Sequence, residues 1–255
     1  MEFIELPALP NLPDCLFVED VGMVYNHCVI ATRPGAPSRR PEVPPMLPHL
    51  QRLAAEKKAA DAQCHPAYNA LENFLQIAEP GTIDGGDVLH VRNSKYVFVG
   101  QSTRTNADAL AQVTRFLKDF DLEVVAVPTK NCLHVKCAAT FLSEQVVLLD
   151  PKLIDAALFT SRGFDVVETS AEEAGGSNVV QFVVEERANP AQKLSVIISS
   201  TACPKTGAKI DAFVAEQNQK SSANVYRHIV LDLSEAAKAE GDVTCQSLLS
   251  YCTSE

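Results

Sequence analysis

The strongest constraint on the fold is a recurring order of elements: two short apolar strands in a hairpin, one helix, then another strand. "DVLHVRNSKYVFVG" alternates apolar residues around Asn93, Ser94 and Lys95, which is a hairpin pattern. Residues 106–120, "NADALAQVTRFLKDF", carry apolar positions at helical spacing behind Asn106 as a cap. "LEVVAVPT" then reads as a strand. The order returns twice. "CAATFLSEQVVLLD" supplies two strands, "KLIDAALFTSRG" a helix that stops at Gly163, and "DVVET" a strand. "NVVQFVVEER" and "KLSVIIS" are strands, "GAKIDAFVAEQNQK" is a helix, and "VYRHIVLDL" is a strand. Strict alternation of strand and helix would predict a doubly wound sheet. Paired strands predict instead an α/β chain built from repeats of a small mixed sheet plus one helix.

The ends of the chain are read in the same way. "FIEL" at 3–6 is expected as a strand, and "CLFVE" and "CVIAT" as strands around a turn at residues 25–27. "APSRRPEVPPMLPHL" is too rich in proline for a central strand or a helix interior, so a helix is expected from about Pro48 through "LQRLAAEKKAADA". "QCHPAYNALENFLQIAEPGT" stays open between helix and strand. "DVTCQSLLSYC" is expected to close the chain as a strand. Nothing resembles an interdomain linker, and residues 1–255 are expected to form a single domain.

Composition narrows the function classes. The 255 residues are 46% hydrophobic and 21% charged, the profile of a soluble globular protein. A formal net charge of −10 argues against nucleic acid as a partner, because phosphates require clustered Lys and Arg. It is compatible with a cationic small molecule. There is no basic amphipathic helix for a membrane surface, no basic start followed by an apolar run, and no membrane-length segment. A cytoplasmic location is expected, with the eight cysteines as thiols. No CxxC pair occurs, so a zinc ribbon or thioredoxin-type redox pair has no support.

"LPDCLFVEDVG", residues 12–22, sets three carboxylates, Asp14, Glu19 and Asp20, beside an apolar run. Such acids repel one another unless a cation joins them. Elsewhere the single signals are ordinary. Cys245 in "GDVTCQSLL", read alone, is a core cysteine, and His134 in "NCLHVKCAAT" is a structural histidine. Cys132, His134 and Cys137 are too poorly spaced for a metal in an extended segment. "DGGDVL", residues 84–89, is a turn whose glycines permit close approach of a ligand. Phosphate-binding glycine loops and the Gly-x-Ser-x-Gly elbow are absent. The combination is more informative than its parts. Several carboxylates hold a planar guanidinium, a Cys and a His attack its carbon and handle the leaving amine, and Arg39 and Arg104 receive a carboxylate at the other end. The ligand that fits is an arginine derivative.

Taken in order, "LPDCLFVEDV", "TRPGAPSRR", "DGGDVL", "VGQSTRTN", "LHVK" and "TCQS" closely resemble the dimethylarginine dimethylaminohydrolase family, from about Phe3 to Ser250. The resemblance implies a five-bladed β/α propeller of ββαβ modules around a central channel (the pentein fold). It implies Cys245 as nucleophile, His134 as general acid and base, and Asp84 as the acid that orients the histidine. Asp14, Glu19 and Asp20 would bind the cationic groups of the substrate, Arg39 and Arg104 its α-carboxylate, and Ala239 would touch it through the backbone. The implied reaction is hydrolysis of asymmetric dimethylarginine or monomethylarginine to citrulline and dimethylamine or methylamine, through a covalent thiouronium on cysteine. That would relieve inhibition of nitric oxide synthase. It requires no metal and no cofactor, and implies a monomer or homodimer. Three departures stand out. Met1 lies almost on the strand "FIEL", so the first module is expected to be incomplete, without the family's first strand, lid loop and helix. The segment 47–80 is longer than usual, and Gln246 follows the nucleophile where some relatives have a second Cys. Two alternatives stay in view: an arginine deiminase-like hydrolase, and an inactive relative with a binding or regulatory role.

Overall fold

The computed structural model describes residues 4–129, 131–186 and 189–251. Its described strands form four three-stranded sheets, each built from sequence-adjacent strands in the order first–second–third. In every sheet the first two strands pair antiparallel and the third joins in parallel. A parallel neighbour needs a crossover, and each crossover here carries helix. The ββαβ repeat expected from the sequence is therefore formed four times.

The first repeat is β1 (Gly22–Val24), β2 (Val29–Ala31), α1 (Val43–Cys64), α2 (Pro66–Asn69) and β3 (Phe74–Gln76). The second is β4 (Val88–His90), β5 (Tyr96–Gln101), α3 (Ala107–Lys118) and β6 (Glu123–Pro128). The third is β7 (Ala139–Phe141), β8 (Val146–Leu149), α4 (Ala157–Thr160) and β9 (Asp165–Glu168). The fourth is β10 (Val180–Glu186), β11 (Asn189–Ser200), α5 (Pro204–Lys220) and β12 (Asn224–Leu231). One further turn of helix, α6 (Ser234–Ala237), follows.

The chain divides into two compact units. One contains Pro7–Thr129, Leu133–Val135 and the chain from Cys245 onward, and so holds the first two sheets. Its core gathers Met23, Cys28 and Ile30 with Val97, Val99, Val113 and Leu117. In α3, Ala109, Val113 and Leu117 recur every fourth residue and are buried, while Asn106 caps the helix by accepting the Ala109 N–H at 3.0 Å. Complete burial of Val113 or Leu117 contributes roughly 1.5–3 kcal/mol each. The other unit holds the last two sheets, with Leu142, Leu148, Val179, Ile197, Ile210 and Phe213 at its core.

Several expectations are corrected. "CLFVE" is not a strand: Pro13–Leu16 and Val18–Val21 are two 3-10 turns, which bring Glu19 and Asp20 inside. The proline-rich stretch is helical. Pro37–Glu42 is a 3-10 turn, and α1 starts at Val43, not near Pro48. Pro44 and Pro45 fall in the first turn, where the N–H groups have no intrahelical partner in any case. Pro48 sits inside and forfeits one ladder bond. The open segment after it becomes the single turn α2 followed by β3. The helix expected over 152–163 is only the turn α4, and Gly163 ends it at φ +88°. Among the described residues the C-terminal strand does not form. Thr244–Gln246 is a 3-10 turn, and the Thr244 N–H is taken by Asn178 Oδ1 at 3.0 Å instead of a neighbouring strand. Residues Ile4–Leu6 of "FIEL" are irregular, while Phe3 and Cys252 lie outside the described residues.

Candidate active site

The acidic turn Val18–Val21 buries Glu19 and Asp20, which demands compensation. The chain supplies a cation of its own. Arg39, 7% exposed, is ion-paired through Nη1 to Asp20 and through Nη2 to Glu42 at 2.8 Å. Its Nε donates to both Glu42 oxygens at 3.2 Å, and Nη2 also donates to the carbonyls of Phe17 (3.0 Å) and Asp14 (3.3 Å). Burial alone would lower the Arg39 pKa, but Glu42 and Asp20 more than offset it and the net shift is upward. Burial drives the Glu42 carboxyl up despite the bonds from Arg39. The question raised by "LPDCLFVEDVG" thus has a structural answer in which the first cation beside its acids is Arg39.

Asp20 reaches further. Its Oδ1 accepts the Gly86 N–H at 2.9 Å and lies 3.9 Å from His134 Nε2. That same Nε2 is hydrogen-bonded to Asp84 Oδ2 at 3.1 Å. All three side chains are buried, Asp84 completely. Burial disfavours a charged imidazole at His134, but the bond to Asp84 and the charges of Asp20, Asp87 and Asp84 outweigh it and raise its pKa. The donor atoms of Asp20, Asp84 and His134 lie within 4.8 Å of one another, close enough for a small cation. A metal bound there would have to displace the hydrogen bond between His134 and Asp84.

The glycines of "DGGDVL" have a specific use. A Cβ on Gly86 would lie 2.5 Å from His134 Nδ1, and one on Gly85 would overlap the Glu19 carbonyl. The close approach they permit is that of the imidazole and of the acidic turn. Asp87, at the end of the 3-10 turn Gly85–Asp87, accepts from Ser102 Oγ (2.5 Å), Thr105 Oγ1 (2.7 Å) and the Val135 N–H (3.1 Å). Burial pushes its carboxyl upward, against the pull of His134 and these donors.

Of the residues singled out in the sequence, Asp20, Asp84, His134 and Arg39 form one buried cluster, in which hydrogen bonds join Arg39 to Asp20 and His134 to Asp84, and Asp20 lies 3.9 Å from His134. Asp14 joins through its carbonyl, and Glu19 is buried one residue before Asp20. Arg104 lies between Ser102 and Thr105, its N–H on Ser102 Oγ at 3.0 Å, and its side chain makes no ion pair among the described residues. Cys245 is half-buried on the turn Thr244–Gln246 and falls in the same compact unit as His134. Ala239 belongs to the other unit, where its N–H is bonded to the Ala236 carbonyl at 3.0 Å. Sequence reasoning assigned no role to Glu42, Asp87, Ser102 and Thr105. Asp87, Ser102 and Thr105 lie inside the motifs "DGGDVL" and "VGQSTRTN", but a motif read along the chain does not say which side chains meet.

Comparison with known proteins identifies the family. The arginine deiminase family model matches residues 56–203. The N(G),N(G)-dimethylarginine dimethylaminohydrolase of Streptomyces coelicolor is 30% identical over 247 residues, covering 97% of this chain and 78% of its own. The enzyme of the same name from Pseudomonas aeruginosa is 29% identical, over 95% and 79%. A solved structure of the P. aeruginosa protein, a mutant complexed with citrulline, superposes with TM-score 0.69 and 26% identity over 93% of this chain and 77% of that one. The product-bound N-terminal domain of ArgZ, a cyanobacterial arginine dihydrolase, shares the fold at TM-score 0.67 and 19% identity, over 95% and 77%. The chain belongs to the dimethylarginine dimethylaminohydrolase family, hydrolases of amidine carbon–nitrogen bonds within the arginine deiminase group.

Proposed function

We propose that this chain hydrolyses Nω-methylated arginines to citrulline and dimethylamine or methylamine. The observation that carries the reading is the buried cluster of His134 between Asp84 and Asp20, with Nε2 at 3.1 Å and 3.9 Å from their oxygens. Two carboxylates around an imidazole favour its cationic form, which is what a general acid for a departing amine requires. Cys245 is the nucleophile. A free cysteine has a pKa near 8.5, and a guanidinium bound beside the sulfur favours thiolate. The thiolate adds to the guanidino carbon, forming a C–S bond. His134 protonates the amine as its C–N bond breaks, and a thiouronium remains on Cys245. His134, now neutral, takes a proton from water, whose oxygen adds to the same carbon. The C–S bond then breaks and citrulline leaves.

Asp84 orients His134, and Asp20 faces the guanidinium with Glu19 and Asp14 nearby. Arg104 receives the α-carboxylate. Arg39 holds Asp20, because its donors are already committed to Asp20, Glu42 and two carbonyls. The four ββαβ sheets are, in this reading, blades of the family's five-bladed propeller in a single domain.

The test is product analysis. Purified protein is given asymmetric dimethylarginine, monomethylarginine and arginine, and citrulline, dimethylamine, methylamine and ammonia are measured. Dimethylamine and citrulline in equal amounts support the reading. The arginine deiminase match favours one competitor, which predicts ammonia from arginine as the faster reaction. No release from any of the three would overturn both.

A further inference from the structure

Asp87 is wholly buried and outside the reaction just described, yet its one carboxylate tethers two separate parts of the site. Through Oδ1 it accepts the N–H of Val135, the residue after His134, at 3.1 Å. Through Oδ2 it accepts Ser102 Oγ at 2.5 Å and Thr105 Oγ1 at 2.7 Å, the two side chains that bracket Arg104. Ser102 Oγ in turn accepts the Arg104 N–H at 3.0 Å. The carboxylate has little freedom of its own. The Asp87 N–H closes a turn on the Asp84 carbonyl at 3.0 Å, and a Cβ on Gly100 would lie 2.6 Å from Asp87 Oδ1. A second tether runs parallel. The Gly35 N–H is held by Asp84 Oδ1 at 2.8 Å, and a Cβ on Gly35 would lie 2.5 Å from Arg104 Cα. Arg104 itself stays half-buried, without an ion pair among the described residues, while the guanidinium of Arg39 is committed.

We propose that Asp87 is a positioning residue that fixes the spacing between His134 and Arg104, and thereby sets the chain length of the guanidino amino acid the site accepts. The inference rests on the proposed function and deepens it. A substrate of this class has its reacting carbon at one end and its carboxylate at the other. With both receivers fixed on one buried anion, a ligand one methylene shorter or longer cannot satisfy both. Misplacement by about 1 Å at a reacting centre costs on the order of 100-fold in rate, and one methylene changes discrimination by about 10–200-fold. Asp87→Asn replaces an acceptor oxygen by an NH2 group that cannot receive the Val135 N–H or the hydroxyl protons. One of the two tethers is lost. Ser102→Ala cuts only the link to Arg104 and leaves the charge of Asp87 in place.

The experiment is calorimetric titration of wild type, Asp87→Asn and Ser102→Ala with L-citrulline and with its homologues having one methylene fewer and one more. Circular dichroism melts verify folding. Wild type is expected to prefer citrulline by about 10-fold or more, with that ratio largely lost in Asp87→Asn and reduced in Ser102→Ala. If Asp87→Asn does not fold, Ser102→Ala decides. Folded variants that keep the wild-type ratio overturn the inference alone. A wild type that binds none of the three ligands overturns the proposed function and this inference with it.

Discussion

His134 Nε2 stands 3.1 Å from Asp84 Oδ2, both side chains buried, on segments fifty residues apart in the chain. Burial by itself would discharge the imidazole, but this bond and the nearby carboxylates reverse the direction. The pair therefore defines both the orientation and the charge of the imidazole.

Asp84→Asn is expected to lower kcat by about 10²–10⁴-fold, the range of general acid–base contributions. The pH profile gives a sharper check. His134 must be protonated to act as the acid, so kcat falls as pH rises through its raised pKa, above the ordinary value near 6.5. Without Asp84 that alkaline limb moves to lower pH. The same shift affects stability. A raised imidazole pKa contributes stability that is fully present below about pH 6.5 and is lost as pH rises through the folded value. Urea titrations of wild type and His134→Gln across that window measure it, and a pH-independent difference would contradict the assignment.

Cys245→Ser is expected to abolish turnover with the melting temperature nearly unchanged. The residue is half-buried, and Cys and Ser are close in size, so the loss is chemical. Mass spectrometry of wild type quenched during turnover should find an adduct on the peptide containing Cys245. Full activity in the serine variant would remove the nucleophile from the scheme.

Glu42→Gln keeps the shape of its side chain but removes the charge that faces Arg39 in a buried pair. Breaking such a pair costs about 3–5 kcal/mol when a charge is left uncompensated. Asp20 and two carbonyls still hold Arg39, so the expected loss is smaller, about 1–3 kcal/mol. The midpoint of urea unfolding reads it directly.

Gly86→Ala would put a Cβ 2.5 Å from His134 Nδ1. The ring must swing away, and kcat should drop at least about 100-fold for a displacement near 1 Å. Crystals of the variant should show a rotated imidazole. The same change at Gly85 meets the Glu19 backbone carbonyl, which cannot move aside, and should impair folding.

The sequence by itself determined the ββαβ repeat. Alternating apolar residues around Asn93–Lys95 and the Asn106-capped stripe of α3 are local patterns, and local periodicity survives in the fold. It determined the family as well, through motifs that depend on residue identity. Tertiary structure decided what local patterns cannot encode. The apolar letters of "CLFVE" suggest a strand, yet two 3-10 turns form there, an arrangement that lets Asp20 meet Arg39 and Gly86. "DVTCQSLL" has β-favouring residues, yet Asn178 takes the Thr244 N–H that a ladder would need. Arg39 looked free to bind a carboxylate, and only the folded chain reveals that Glu42 and Asp20 already hold it. The physical reason is common to all three. A buried polar group takes the partner that folding brings nearest, and that partner can be dozens of residues away, where no window of sequence looks.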